Sequence, residues 1–82
     1  IRLMRHKIRN LEATNYELGL YHLQEGNISD AALRFKLVNR LNPHNAYSHY
    51  QLGRCYAHLQ KNALAIDAFN KSLDLKPDLA EA

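Results

Sequence analysis

Apolar residues recur at three- and four-residue intervals through four stretches of this chain, with Gly26 and Pro43 separating the first three. Such spacing puts the apolar side chains on one stripe of an α-helix. Between Glu12 and Glu25 there is no Pro, with Leu11, Leu18 and His22 on one side and Ala13, Tyr16, Leu20 and Leu23 on the other, so a helix is predicted there. Gly26 can take the left-handed conformation that ends it, and Asn27 can cap the next helix. That second helix is predicted over about Ile28–Leu41, with Ala31, Phe35, Val38 and Leu41 as its apolar set. Pro43 disfavours helix at Asn42 and lacks a donor, which forces a turn. Two further helices are predicted, from about Ala46 to Gln60 and from Asn62 to Leu75, closed by Pro77.

The four stretches are two copies of one pattern. A shift of 34 positions superposes Tyr16 on Tyr50, Leu18 on Leu52, Gly19 on Gly53, Ala31 on Ala65, Phe35 on Phe69, Leu41 on Leu75 and Pro43 on Pro77. Short turns make the two helices of each copy antiparallel neighbours, and the pairs are expected to stack into an all-α solenoid. The small residues Gly19, Gly53, Ala31 and Ala65 are expected where the helices of a pair cross, with Phe35 and Phe69 filling the space towards the next helix. Residues 12–45 and 46–79 are then the two repeats. Solenoids usually need about three or more repeats, so a longer array or an oligomer is expected, with residues 80–82 opening a further repeat because Ala80 falls at the register of Ala46.

Composition adds little to this picture, and charge adds one asymmetry. With 46% apolar and 23% charged residues the chain is that of an ordinary globular segment, and no apolar run is long enough to span a bilayer. Of the net charge of +3, Arg2, Arg5, Lys7 and Arg9 supply four bases in the first ten residues without an acid, while the rest of the chain carries seven bases against eight acids. Ile1, Met4, Ile8 and Leu11 recur at helical spacing among those bases, so residues 1–11 read as a basic amphipathic helix. It is expected to be the end of a preceding helix or repeat with its bases in solvent, rather than a contact for nucleic acid or an anionic membrane. The single cysteine, Cys55, excludes an internal disulfide and fits, without requiring, a reducing compartment such as the cytoplasm.

The period of 34, with a Leu-Gly pair followed by Ala, an aromatic and a closing Pro, resembles the tetratricopeptide repeat family. Leu52, Gly53, Tyr56, Ala65, Phe69 and Pro77 all occupy family positions in the second repeat. The first repeat departs from the pattern. His22 replaces the usual Tyr, Val38 the usual Ala, Asn39 an apolar residue late in the second helix, and Asn15 the large aromatic near the start of the first, a departure that the second repeat shares at His49.

The resemblance implies a protein-interaction module whose first helices line a concave groove. Ala13, Tyr16, Glu17 and Leu20 are the candidates from repeat one, and Tyr47, Tyr50, Gln51, Arg54 and His58 from repeat two. Spacing supports the second group independently, since Tyr47, Tyr50, Arg54 and His58 lie three or four apart, away from Leu52, Tyr56 and Leu59. An extended or helical peptide with acidic and apolar groups suits such a surface. Alternatively, Tyr16 and Tyr50 pad the contact between successive first helices. Tyr16 and Leu20 stand where a carboxylate clamp of the family would have Lys and Asn, so a clamp for chaperone tails is not expected. Glu17 and Gln51 stand where other members carry a ladder of Asn, a role that Gln51 can take and Glu17 only in part.

Nothing in the sequence points to catalysis or to a cofactor. There is no Gly-rich phosphate loop, and no Ser or Cys in a recognisable nucleophile context. Cys55 and His58 share a helical face and His22 is a conceivable third metal ligand, but two ligands are not a site, and a buried apolar role for Cys55 is preferred. His6, His44 and His49 add no ligand spacing. The reading is therefore a non-catalytic adaptor or scaffold that binds a partner protein or peptide. The alternatives are the substrate-recruiting arm of a larger enzyme, such as a glycosyl- or methyltransferase, and self-association through exposed terminal faces that include Leu79 and Ala82. Nucleic-acid binding is not favoured.

Overall fold

The computed structural model describes the backbone of residues 2–81 and the side chains of residues 11–79. It consists of α1 (Arg2–Gln24), α2 (Ile28–Leu41), α3 (Ala46–His58), α4 (Asn62–Leu75) and a 3-10 helix over Pro77–Glu81, and no strand occurs among the described residues. The chain is all-α, built as two helical hairpins. Where the sequence suggested a boundary at Leu11, α1 runs through it as one helix of 23 residues. The side chains of the four bases in that first stretch, and that of Ala82, lie outside the described residues. The Pro77–Glu81 turn occupies the place where a further repeat was expected to open.

Both hairpin turns use the same backbone device. Gly26 has φ 82°, Asn27 donates its N–H to His22 O at 2.8 Å and Gly26 donates to Leu23 O at 3.2 Å. That pair of bonds is the Schellman termination, which needs a left-handed residue. At the same register in the second hairpin, Gln60 adopts φ 61°, with Lys61 N donating to Tyr56 O at 2.8 Å and Gln60 N to Ala57 O at 3.1 Å. Thus the left-handed turn is made once by Gly and once by a residue that pays for its Cβ.

The helix starts differ from one another. Asn27 sits at the N-cap of α2 but its side chain makes no capping bond, contrary to the sequence expectation. The Schellman bond draws the Asn27 N–H back to α1, and its φ of −85° and ψ of 71° lie outside the β-region typical of a capping Asn. Asn45, with φ −77° and ψ 96°, does cap: its Oδ1 accepts from Ser48 N at 3.1 Å.

The core lies where α2 meets α1 on one side and α3 on the other. Ala31, Ala32, Phe35, Leu52 and Cys55 form it, with Tyr16, Leu23, Ile28 and Tyr56 packed around it. Phe35 lies so close to Gly19 that a Cβ there would stand 2.6 Å from Phe35 Cε1, and Phe69 relates to Gly53 in the same way, with 2.7 Å to Cδ1. The small residues therefore mark the helix crossings, as the repeat register indicated. Phe35 serves the crossing within its own hairpin as well as the contact with the next.

Several departures from the repeat pattern are resolved as polar pairs. Buried Asn15 donates to Leu11 O at 2.8 Å and accepts from Arg34 Nη1 at 2.9 Å. Asn39 accepts from the hydroxyl of fully buried Ser48. His49 Nε2 lies 3.0 Å from Pro43 O. A buried polar atom left unmatched costs about 1–3 kcal/mol, so Asn15 and Asn39 are tolerable because their partners are in place, whereas the His49 contact is exposed and water can replace it. His22 differs, since its buried Nδ1 has no partner among the described residues.

Candidate functional site

The successive first helices, α1 and α3, bracket a hollow of ≈ 500 Å³ lined by Glu12, Ala13, Tyr16, Glu17, Asn45 and Tyr47. The helical spacing explains its composition. Ala13, Tyr16 and Glu17 lie on one face of α1, and Ala13 is small enough to leave room beside the Tyr16 ring. Tyr47 projects from the first turn of α3, which the Asn45 cap fixes.

Of the residues that sequence placed on the concave face, Ala13, Tyr16, Glu17 and Tyr47 line this hollow together. Gln51 joins them through a hydrogen bond. Its Nε2 lies 3.4 Å from the Tyr16 hydroxyl, linking α1 to α3, and its Oε1 accepts from Arg54 Nη1 at 3.1 Å. Each end of the Gln51 amide is thereby oriented and keeps one further hydrogen-bonding position, an N–H and a carbonyl lone pair, for a ligand backbone. Arg54 and His58 continue the row as exposed side chains, and Leu20 is exposed on α1. Tyr50 is set apart, lining a smaller hollow of ≈ 130 Å³ with Phe69, Ser72, Leu73 and Leu79.

The two tyrosines at equivalent positions also pack. Tyr16 meets Phe35 edge to face at 5.6 Å between centroids, and Tyr50 meets Phe69 at 5.7 Å. They pad the contact between the two helices of a hairpin, whereas the contact between successive first helices is made by the Gln51–Tyr16 bond. Tyr16 is half-buried and lines the hollow, while its hydroxyl accepts from Gln51.

Three residues of the site were missed by the sequence reading. Glu12 Oε2 accepts from Asn42 Nδ2 at 3.0 Å and from Asn45 Nδ2 at 2.9 Å, tying α1 to the turn between α2 and α3. Asn45 belongs both to that tie and to the lining. Lys76 holds its ammonium 5.9 Å from the Tyr47 ring centroid, within the range of a cation–π contact. Glu12 was detectable as the residue one turn before Tyr16, whereas Lys76 comes from a different helix end and carries no such signal. The resulting electrostatics are graded. Glu12 and Glu17 mark the α1 wall, and Arg54 and Lys76 the opposite side.

The residues considered for metal binding are not gathered. Cys55 is fully buried in the core, while His58 is exposed. Among the described residues no three His, Cys, Asp or Glu side chains cluster. Burial pushes the Cys55 thiol up, against a smaller downward pull from the Arg54 charge. The thiol is thus held in its protonated, poorly nucleophilic form. No helix among the described residues is long and apolar enough to cross a membrane.

Two stacked hairpins with a Gly-aromatic crossing in each, and a groove between their first helices, are the geometry of protein-interaction repeats. The family model for the tetratricopeptide repeat matches residues 16–80. The match takes in α1 from Tyr16 onward and all of α2, α3 and α4, most of the chain, and the chain belongs to the tetratricopeptide repeat family.

Proposed function

We propose that this chain is a non-catalytic adaptor segment that holds a partner peptide in the groove between α1 and α3. Residues 12–45 and 46–79 act as its two repeats. Tyr16, Glu17, Leu20, Tyr47, Gln51, Arg54 and His58 form the binding row, and Tyr50 reaches the same ligand farther along. The observation that carries this reading is the ≈ 500 Å³ hollow, in which two aromatic rings from different hairpins form a largely apolar lining edged by Glu12, Glu17 and Asn45. Tyr and Arg combine large rigid area with a polar tip, which is why they so often dominate interface energies. Apolar side chains of the ligand rest on Tyr16 and Tyr47, its acidic groups meet Arg54 and Lys76, and its backbone N–H groups meet Glu12 and Glu17.

The test is affinity capture from the native source with the full-length protein beside a Tyr47→Ala, Arg54→Glu variant. The expected result is a partner captured by the former and lost by the latter, with far-ultraviolet circular dichroism unchanged. Capture of the same partner by both would remove the groove from consideration.

A second reading, self-association, is favoured by one observation. Ile66 is 59% exposed at the register of Ala32, which is buried in the first hairpin. Sedimentation of Ile66→Lys against the unaltered protein distinguishes an end-to-end dimer from a monomer.

A further inference from the structure

α2 has a second face that the groove does not use. Its Ala31, Phe35 and Val38 are buried, whereas Leu33 is 63% exposed and Leu37 39%. At about 100° per residue Leu33 stands roughly 160° around the helix from Phe35, so the two leucines, one turn apart, form a ridge pointing away from the core. Hollows flank the ridge. One of ≈ 570 Å³ runs along Lys36, Asn39 and Arg40, one of ≈ 420 Å³ opens towards His22 of α1, and one of ≈ 240 Å³ opens towards Tyr56 of α3 and Leu59 just beyond it.

The ridge is framed by positive charge. Arg34, Lys36 and Arg40 surround it and Lys61 borders the hollow towards α3, against one acid, Asp30. Arg34 donates to the neutral Asn15 amide and Lys36 lies over the Tyr56 ring at 5.8 Å. The one ion pair among the described residues, Lys76 with Asp78, is elsewhere.

The second hairpin provides an internal comparison. At the positions of Leu33, Lys36, Leu37 and Arg40, α4 carries Asp67, Asn70, Lys71 and Asp74. The same scaffold position therefore folds with an ordinary solvated face, and neither the leucines nor the basic frame is a requirement of the repeat.

We infer that the outer face of α2 is a second docking surface, and that its occupant is an acidic amphipathic helix of a partner protein. Charge complementarity fixes the sign: Asp and Glu flanking an apolar stripe meet Arg34, Lys36 and Arg40. A ridge of side chains four apart with a furrow on each side is what the ridges of another helix pack into. A lipid surface has no use for those furrows. The outer face of α4 in a second copy offers a poorer match, because it places Lys71 between Asp67 and Asp74 and carries Leu64 as its lone exposed leucine, while the exposed Ile66 stands at the register of buried Ala32, off that face. The surface lies apart from the groove, so one chain can hold two partners.

The test uses a fluorescent synthetic helix of about 18 residues, five turns, with Leu at four-residue spacing and Glu on its flanks, and a twin with Lys in place of Glu. The full chain is titrated beside a Leu33→Asp, Leu37→Lys variant, which installs the residues that α4 already tolerates. The expected result is saturable binding of the acidic helix, amide shifts concentrated in residues 33–40, and a loss of about tenfold or more in the variant, equivalent to about 1.4 kcal/mol. Tyr47→Ala with Arg54→Glu leaves this binding unchanged. Lys36→Asp with Arg40→Asp tests the same face through charge alone, should the leucine variant lose helix content. Equal binding by the variants, equal binding of the Lys twin, or no binding of the acidic helix overturns the inference. Leu33-dependent attachment to phosphatidylserine vesicles alone, or a Leu33-dependent dimer, overturns it in favour of a lipid or a second copy.

Discussion

Gly19 and Gly53 owe their places to an aromatic ring rather than to backbone freedom, since a Cβ at either would lie within 2.7 Å of a Phe ring carbon. The two rings differ in their liberty to move. Phe35 is fully enclosed, while Phe69 is only half-buried. Overpacking a closed core costs about 1–3 kcal/mol, and Ala gains about 1 kcal/mol over Gly inside a helix. Gly19→Ala is therefore expected to lower the thermal midpoint, whereas Gly53→Ala changes it little because Phe69 can swing towards solvent. Equal losses in paired melting curves would show that Phe69 is as confined as Phe35. Most of this was readable in the sequence, because a Gly and a Phe recurring together at one register report a close crossing. The difference between the two crossings was not readable, since it depends on what covers each ring.

Helix boundaries were legible where a residue type dictates the backbone and illegible where a side chain has a choice. Pro43 and Pro77 set the ends of α2 and α4, and Gly26 the end of α1. Gln60 takes the same left-handed conformation without being the residue that announces it. The two asparagines at helix starts look alike in sequence, yet only Asn45 caps, and it also donates to Glu12, 33 residues away. Such a tie has no local pattern, and so the Glu12–Asn42–Asn45 cluster beneath the groove escaped the sequence reading. The contrast is measurable. Asn45→Ala removes a cap worth about 1–2 kcal/mol together with a bond to Glu12, whereas Asn27→Ala removes no capping bond. Urea denaturation is expected to show a clear loss for the first and a few tenths of a kcal/mol for the second, an ordinary surface change. A loss of similar size in both would mean that Asn27 caps in solution.

As a whole the molecule is a slab of 41 × 28 × 20 Å in which the helices are not equally covered. α2 is held between α1 and α3, while α4 is packed mainly on α3, with a smaller contact to the Pro77–Glu81 turn. In a stacked array each unit owes its stability to its neighbours, so the two hairpins should open at different free energies. Native-state hydrogen exchange is expected to find the slowest amides in α2 and the facing part of α3, with α4 exchanging through a smaller opening. The phenylalanines sharpen the point. Removing an enclosed Phe costs about 3–5 kcal/mol, so Phe35→Ala should bring down all four helices together. Phe69→Ala costs less, because water already reaches its ring, and should release α4 while α1 and α2 stay protected. Uniform protection in the parent, or global loss from both variants, would mean that the contact between hairpins couples them into one unit. A ligand in the groove would then stabilise both hairpins equally, whereas in the graded molecule a ligand that bridges Tyr16 and Tyr47 protects most strongly the hairpin that opens first.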